Sequence, residues 1–183
     1  MRNTNTLYYV EIAVMATLAV VLSFIKFGGF WAQGGSVSLA MIPLIVIAFR
    51  RGIRAGVLAG LLFGLISLIL PGAFIVHPIQ AMLDYPVAFS VVGLAGLSVF
   101  RKGRQKPLRM TYIITGVFVG VSLRFLSHFV AGVVWFAEMA PEGIPVVTYV
   151  FLYNISYLIP EFLLSAAVLL LLNRRNSSLF QAS

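Results

Sequence analysis

Residues 81–100 read AMLDYPVAFSVVGLAGLSVF, an apolar run broken by one carboxylate, Asp84, with Tyr85 and Pro86 directly after it. A run of this length supplies the ~20 residues that a helix needs to cross a bilayer. A charge at the centre of such a helix costs roughly 2.5–3.5 kcal/mol even on lenient insertion scales, so it marks a functional position by default.

The rest of the chain has the same character. Of its 183 residues, 61% are hydrophobic and only 10% are charged. With a mean hydropathy of +1.03, this apolar surface cannot be buried inside a water-soluble globule. Apolar runs fall near residues 7–25, 36–49, 55–71, 79–100, 110–136 and 146–173. They predict an all-α membrane protein, a six-transmembrane-helix bundle formed by one domain over residues 1–183. The second run is short and carries Pro43, so a tilted, broken or displaced segment is expected there. The first run lacks a small-residue cleavage site and is read as a retained helix. No hydrophilic stretch is long enough for a separate domain, and no repeat or low-complexity tract is present.

The basic residues follow a topology. Arg2 precedes the first run; Arg50, Arg51 and Arg54 follow the second; Arg101, Lys102, Arg104, Lys106 and Arg109 follow the fourth; Arg174 and Arg175 follow the sixth. The loops after the first, third and fifth runs hold only Lys26 among them. The positive-inside bias therefore predicts cytoplasmic N and C termini and accounts for the net charge of +8 without nucleic-acid binding. The absence of cysteine excludes disulfides, thiolate metal sites and a cysteine nucleophile. There is no phosphate-loop motif, no His-Glu-x-x-His and no nucleophile elbow, so ATP hydrolysis and catalysis are not expected from this chain, and no metal or cofactor is implied.

Counting 1.5 Å per residue places Asp84 roughly 8 Å below the outer end of the fourth span, and His128 and Asn154 about 12 Å below the outer ends of the fifth and sixth. Three polar groups from three helices thus lie in the outer half of the bilayer, the pattern of a pocket open to the outside. His128, Gly132 and Trp135 or Phe136 follow one face of the fifth span, with Gly132 leaving room above the imidazole. Tyr149, Tyr153 and Tyr157 recur every four residues in the sixth. Aromatic rings with one acid suit an organic cation, and a neutral flat heterocycle could stack there as well. Each feature also has a plainer reading: His128 and Asn154 as cross-links between helices, the tyrosines as core, Asp84 as a protonated acid or a partner of Arg124. Arg124 and Glu161 lie deeper, at heights differing by roughly 4–5 Å, which predicts a structural ion pair that would leave Asp84 free for a ligand. The loop Lys26–Gly35, KFGGFWAQGG, has the flexible backbone and large ring of a lid, or anchors Trp31 at the headgroups. On the first span Ala13, Ala16, Thr17 and Ala19 form a small-residue surface that suits either internal packing or docking of a partner.

Four segments carry a resemblance: Gln33-Gly-Gly-Ser-Val-Ser with Pro43; His77-Pro-Ile-Gln-Ala-Met-Leu-Asp84-Tyr85; Arg124-Phe-Leu-Ser-His128 with Gly132; and Tyr149 through Tyr153-Asn154 to Tyr157 and Pro160. In this order they resemble the ThiT family, the thiamine-specific substrate-binding (S) components of energy-coupling factor (ECF) transporters. The resemblance implies a non-enzymatic, multi-pass protein of the bacterial plasma membrane. It would capture thiamine from outside with high affinity and deliver it through a shared transmembrane coupling subunit and two ATPase subunits. It implies that Asp84 faces the thiazolium cation and that Trp31, Tyr85 and the pair Trp135 and Phe136 pack on the ligand rings. His128, Tyr149 and Asn154 would make polar contacts, with Gly132 beside the ligand, and the small face of the first span would dock on the partner. The chain departs from the family pattern where some members have Glu at position 84 and Trp at position 136. The rival functions are an S component for another vitamin, such as riboflavin, and a stand-alone proton-coupled carrier using Asp84 and His128.

Overall fold

The computed structural model describes residues 4–28, 31, 34–99 and 108–180. Gln33, Phe100, Arg2 and the cationic residues Arg101, Lys102, Arg104 and Lys106 lie outside the described residues. Six helical segments follow one another: α1 (Thr4–Ser23), α2 (Met41–Arg51), α3 (Ile53–Ser67), α4 (Pro78–Ser98), α5 (Met110–Trp135) and α6 (Val146–Arg175). A two-residue antiparallel ribbon, β1 (Lys26–Phe27) with β2 (Val37–Ser38), closes the base of the loop between α1 and α2.

Among the described residues four helices, α1, α4, α5 and α6, are long and apolar enough to cross a membrane. The expectation of six full-length spans meets a different distribution of lengths. α2 has 11 residues and α3 has 15, so at 1.5 Å per residue they extend only about 16 and 22 Å. Every residue of α2 from Met41 to Phe49 is buried. This helix is wrapped by its neighbours and has no lipid-facing stripe, which is why its hydropathy resembles that of a span.

α4 is not a uniform helix. Its first turn, Pro78–Met82, is α-helical, Leu83–Val87 form one widened π turn, and a short α segment runs into a 3₁₀ end at Gly93–Ser98. Pro86 is the local cause: it has no N–H to return to the preceding turn, so the hydrogen-bond ladder breaks there. The Ala88 N–H still returns to the Leu83 carbonyl across the widened turn, and side chains add further bonds. Ser127 of α5 donates to the Leu83 carbonyl at 2.6 Å, and Ser90 donates to the Pro86 carbonyl at 2.5 Å. Asp84 and Tyr85 sit in the widened turn, and both line the cavity described below.

α3 approaches α4 backbone to backbone. Gly56, Gly60 and Gly64 repeat at intervals of four and share one face. A Cβ on Gly64 would stand 2.6 Å from the Tyr85 carbonyl oxygen, and one on Gly56 would stand 2.8 Å from Gly93 Cα. On Gly60 it would strike the Phe89 carbonyl. The glycines therefore set how closely the turn that carries Asp84 is backed.

The arginines that end α2 have local partners. Glu11 of α1 accepts from Arg50 Nε at 3.0 Å and from Arg51 Nε at 2.6 Å, and Arg50 also donates to the Ser178 carbonyl. Phe180 is buried against Phe49, and the Asn173 amide bonds both the N–H and the carbonyl of Leu108. α1 turns Ile12, Ala16 and Ala19 inward. The small-residue surface expected on α1 is thus divided: Ala16 and Ala19 are 2% and 0% exposed and pack internally, while Ala13 and Thr17 face outward. Residues three apart on a helix share a face only approximately, and here the core takes one pair.

Replacing Gly60 by alanine should cost about 1–3 kcal/mol, because a stiff backbone carbonyl meets the new methyl group. Thermal unfolding in detergent should show a drop of several degrees, with Leu65→Ala on the exposed side of α3 close to wild type.

Candidate ligand-binding site

A cavity opens among α4, α5, α6 and the two loops that follow α1 and α3. Its wall includes Asp84, Tyr85 and Phe89 from α4, Arg124, His128 and Gly132 from α5 with Phe136 just beyond it, and Tyr149, Tyr153, Asn154 and Tyr157 from α6. The loop after α3 contributes Leu70 to Phe74, and the exposed Lys26 stands at the edge.

The polar floor is one connected chain. Arg124 Nη1 donates to Glu161 Oε2 at 2.5 Å, Glu161 is 0% exposed, and its other oxygen accepts from Ser38. The same guanidinium lies 4.6 Å above the Phe89 ring. Its Nε–H donates to His128 Nε2 at 3.1 Å. An arginine has no acceptor, so Nε2 must present its lone pair and the imidazole proton sits on Nδ1. Nδ1–H then donates to Asp84 Oδ1 at 2.8 Å, while Gln80 Nε2 donates to Asp84 Oδ2 at 2.7 Å.

The charges follow from this wiring. The Arg124 cation is matched by Glu161, and His128 is neutral, so the carboxylate of Asp84 is the excess charge. Asp84 is not free in the sense expected from sequence, because Gln80 and His128 occupy one side of each oxygen. Both partners are neutral donors. Neither supplies a counter-charge.

Seven of the nine expected contact residues line the cavity: Asp84, Tyr85, His128, Gly132, Phe136, Tyr149 and Asn154. The two tryptophans are not part of its wall. Trp135 is the last helical residue of α5 and stacks on His77 with ring centroids 5.3 Å apart, whereas Phe136 leaves helical geometry and meets Phe74. Trp31 donates from Nε1 to Ser156 at 2.7 Å and stands edge-on to Tyr157. With Gly35 N–H donating to the Tyr153 hydroxyl at 3.2 Å, Trp31 ties the α1–α2 loop to α6. Gly132 has a second reason to be glycine beyond room for a ligand, since a Cβ there would lie 2.5 Å from Val150 Cγ1. Asn154 is engaged within its own helix, donating to the Val150 carbonyl and accepting from the Tyr157 hydroxyl.

The sequence reading passed over Gln80 and the hydroxyl of Tyr85. Gln80 is 1% exposed, and Tyr85 accepts from the Phe74 N–H at 2.6 Å. For Gln80 the signal was present in its spacing, one helical turn before Asp84.

A family model described as thiamine transporter protein (Thia_YuaJ) matches residues 9–181. The chain belongs to this family. It is 41% identical over 170 residues to the thiamine transporter ThiT of Bacillus subtilis, covering 89% of this chain and 88% of that protein. It is 32% identical over 152 residues to the thiamine transporter ThiT of Lacticaseibacillus paracasei, covering 79% and 75%. A solved structure of ThiT from Listeria monocytogenes matches with a TM-score of 0.85 at 30% identity, over 98% of this chain and 100% of that one. The Thia_YuaJ family is one of transporters, not enzymes, and its member described here is a multi-pass bacterial membrane protein of thiamine transport.

Two outcomes test the geometry. Glu161→Ala strands a buried guanidinium and should lower stability by roughly 3–5 kcal/mol, with much of the loss recovered by adding Arg124→Leu. Independent, additive losses in the folded yield of the two variants would sink the pairing. Gly132→Ala should shift α6 and lower the melting temperature, and Val150→Ala in the same chain should restore it.

Proposed function

We propose that this chain is the thiamine-capturing S component of an ECF-type vitamin importer, binding thiamine from the extracellular side. One observation carries the reading: a carboxylate with hydrogen-bond donors but, among the described residues, no lysine or arginine in salt-bridge range, set in an aromatic-walled cavity. Thiamine supplies what is missing, a permanently charged thiazolium with a flat pyrimidine beside it. Asp84 faces the cation, Tyr85 and Phe136 pack on the rings, and His128, Tyr149 and Asn154 offer polar contacts beside Gly132. Ring faces near a desolvated cation contribute up to about 2 kcal/mol each. The α1–α2 loop, already pinned through Trp31 and Gly35, is the lid.

The six helical segments are read as a six-helix bundle with both termini in the cytoplasm, in which α2 is buried by the other segments. Delivery is assigned to a shared transmembrane coupling subunit driven by two ATPase subunits, since this chain has no phosphate loop. The outward face of α1, with Ala13 and Thr17 among exposed Val10, Val14, Leu18 and Val21, is the surface offered to that subunit. The chain itself needs no cofactor; ATP is used by the partners.

The direct Asp84–His128 bond also fits a stand-alone proton-coupled carrier, in which the two groups pass a proton. That reading predicts uptake without ATPase partners and a strong dependence on the proton gradient. Calorimetric titration of the purified protein with thiamine, riboflavin and biotin separates the vitamin readings. Binding of thiamine alone, weakened at least tenfold in Asp84→Asn, is expected. Indifference to thiamine contradicts the proposal.

A further inference from the structure

Gln80 is buried deeper than any of the groups of the polar floor except Glu161, and both polar atoms of its amide have partners. Nε2 donates both to Asp84 Oδ2 at 2.7 Å and to the Phe74 carbonyl at 3.0 Å, and Oε1 accepts from the Val76 N–H at 3.0 Å. Phe74 is held a second time by the Tyr85 hydroxyl, and its ring rests on Phe136 at the cavity wall. The α3–α4 loop and the carboxylate therefore share one buried side chain. Gln80 starts from the first turn of α4, where His77 accepts from the Ile79 N–H and Pro78 follows the cap, so its own backbone is fixed.

We infer that Gln80 is a positioning residue that aims Asp84 at the bound cation and makes the α3–α4 loop respond to occupancy of that carboxylate. The inference rests on thiamine binding as proposed above. The carboxyl of an aspartate is tethered one carbon from the backbone and has few ways to be steered. Here His128 holds one oxygen and Gln80 the other, which leaves the carboxylate a single orientation with its remaining lone pairs toward the cavity. Without Gln80 the acid can rotate on its Cβ, and the Phe74 carbonyl and Val76 N–H lose their shared partner. A hydrogen bond to a charged group is worth enough that affinity should fall about ten- to a hundredfold. Gln80 touches no ligand in this scheme and acts through Asp84.

A double-mutant cycle tests it in the full-length protein. Thiamine affinity is measured for wild type, Gln80→Leu, Asp84→Asn and the double variant. Gln80→Leu should weaken binding at least tenfold in the native background and less than twofold beside Asp84→Asn. Equal losses in both backgrounds would show a merely structural role and overturn the inference while leaving thiamine binding intact; so would no loss in either. Unchanged affinity in Asp84→Asn alone would defeat the functional reading and the inference with it. Where Gln80→Leu does not fold, Gln80→Glu keeps the shape and the acceptor for Val76. It sets two carboxyls side by side that must share a proton, so thiamine affinity should fall more steeply than that of wild type as pH drops from 8 to 5. A profile for Gln80→Glu that matches wild type overturns the inference.

Discussion

The buried guanidinium of Arg124 decides the electrostatics of everything above it. A cation at that depth must be matched, and Glu161, itself fully buried, matches it. The Nε–H of the arginine then dictates the tautomer of His128, and the tautomer dictates that Asp84 receives a neutral donor. Three helices are locked together by one continuous hydrogen-bonded chain. Its outer end is a carboxylate without a counter-charge, facing a cavity lined by rings. The unpaired charge is therefore a consequence of how the deeper pair is made, and it cannot be relieved from within the cluster.

Geometry and backbone chemistry bring that carboxylate to the cavity. Pro86 interrupts the ladder of α4, the widened turn turns Asp84 and Tyr85 toward α5 and α6, and Ser127 joins the Ala88 N–H on the Leu83 carbonyl. Behind the turn, the glycine face of α3 backs it without any intervening side chain. The site is thus carried on a locally irregular helix supported on both sides by regular ones, a common arrangement where backbone irregularity lies at membrane depth inside protein.

Much of this was written in the sequence, and the rest was hidden for identifiable reasons. Hydropathy and helical rise were enough to bring Asp84, His128 and Asn154 to one level, because depth depends only on counting. They could not separate a spanning helix from a helix buried by its neighbours, so α2 read as a span although it has 11 residues and is enclosed. Rotation is less legible than depth. Whether Trp135 or Phe136 enters the cavity depends on where α5 stops, and it stops between them. Ala16 and Ala19 differ from Ala13 and Thr17 only by which side the core lies on. The spacing of Gly56, Gly60 and Gly64 and of Gln80 with Asp84 was readable, yet small residues and a lone amide attract no notice in a chain this apolar.

The wiring from Arg124 Nε through His128 to Asp84 leaves a carboxylate that a cation completes. Calorimetry of thiamine binding near pH 7, repeated in buffers of different ionisation enthalpy, counts the protons exchanged on binding. If the cation meets a carboxylate that is already charged, the binding enthalpy will be independent of the buffer and the proton count near zero. Release of about one proton per thiamine bound would show that the site holds a proton in place of the cation, and would contradict the account.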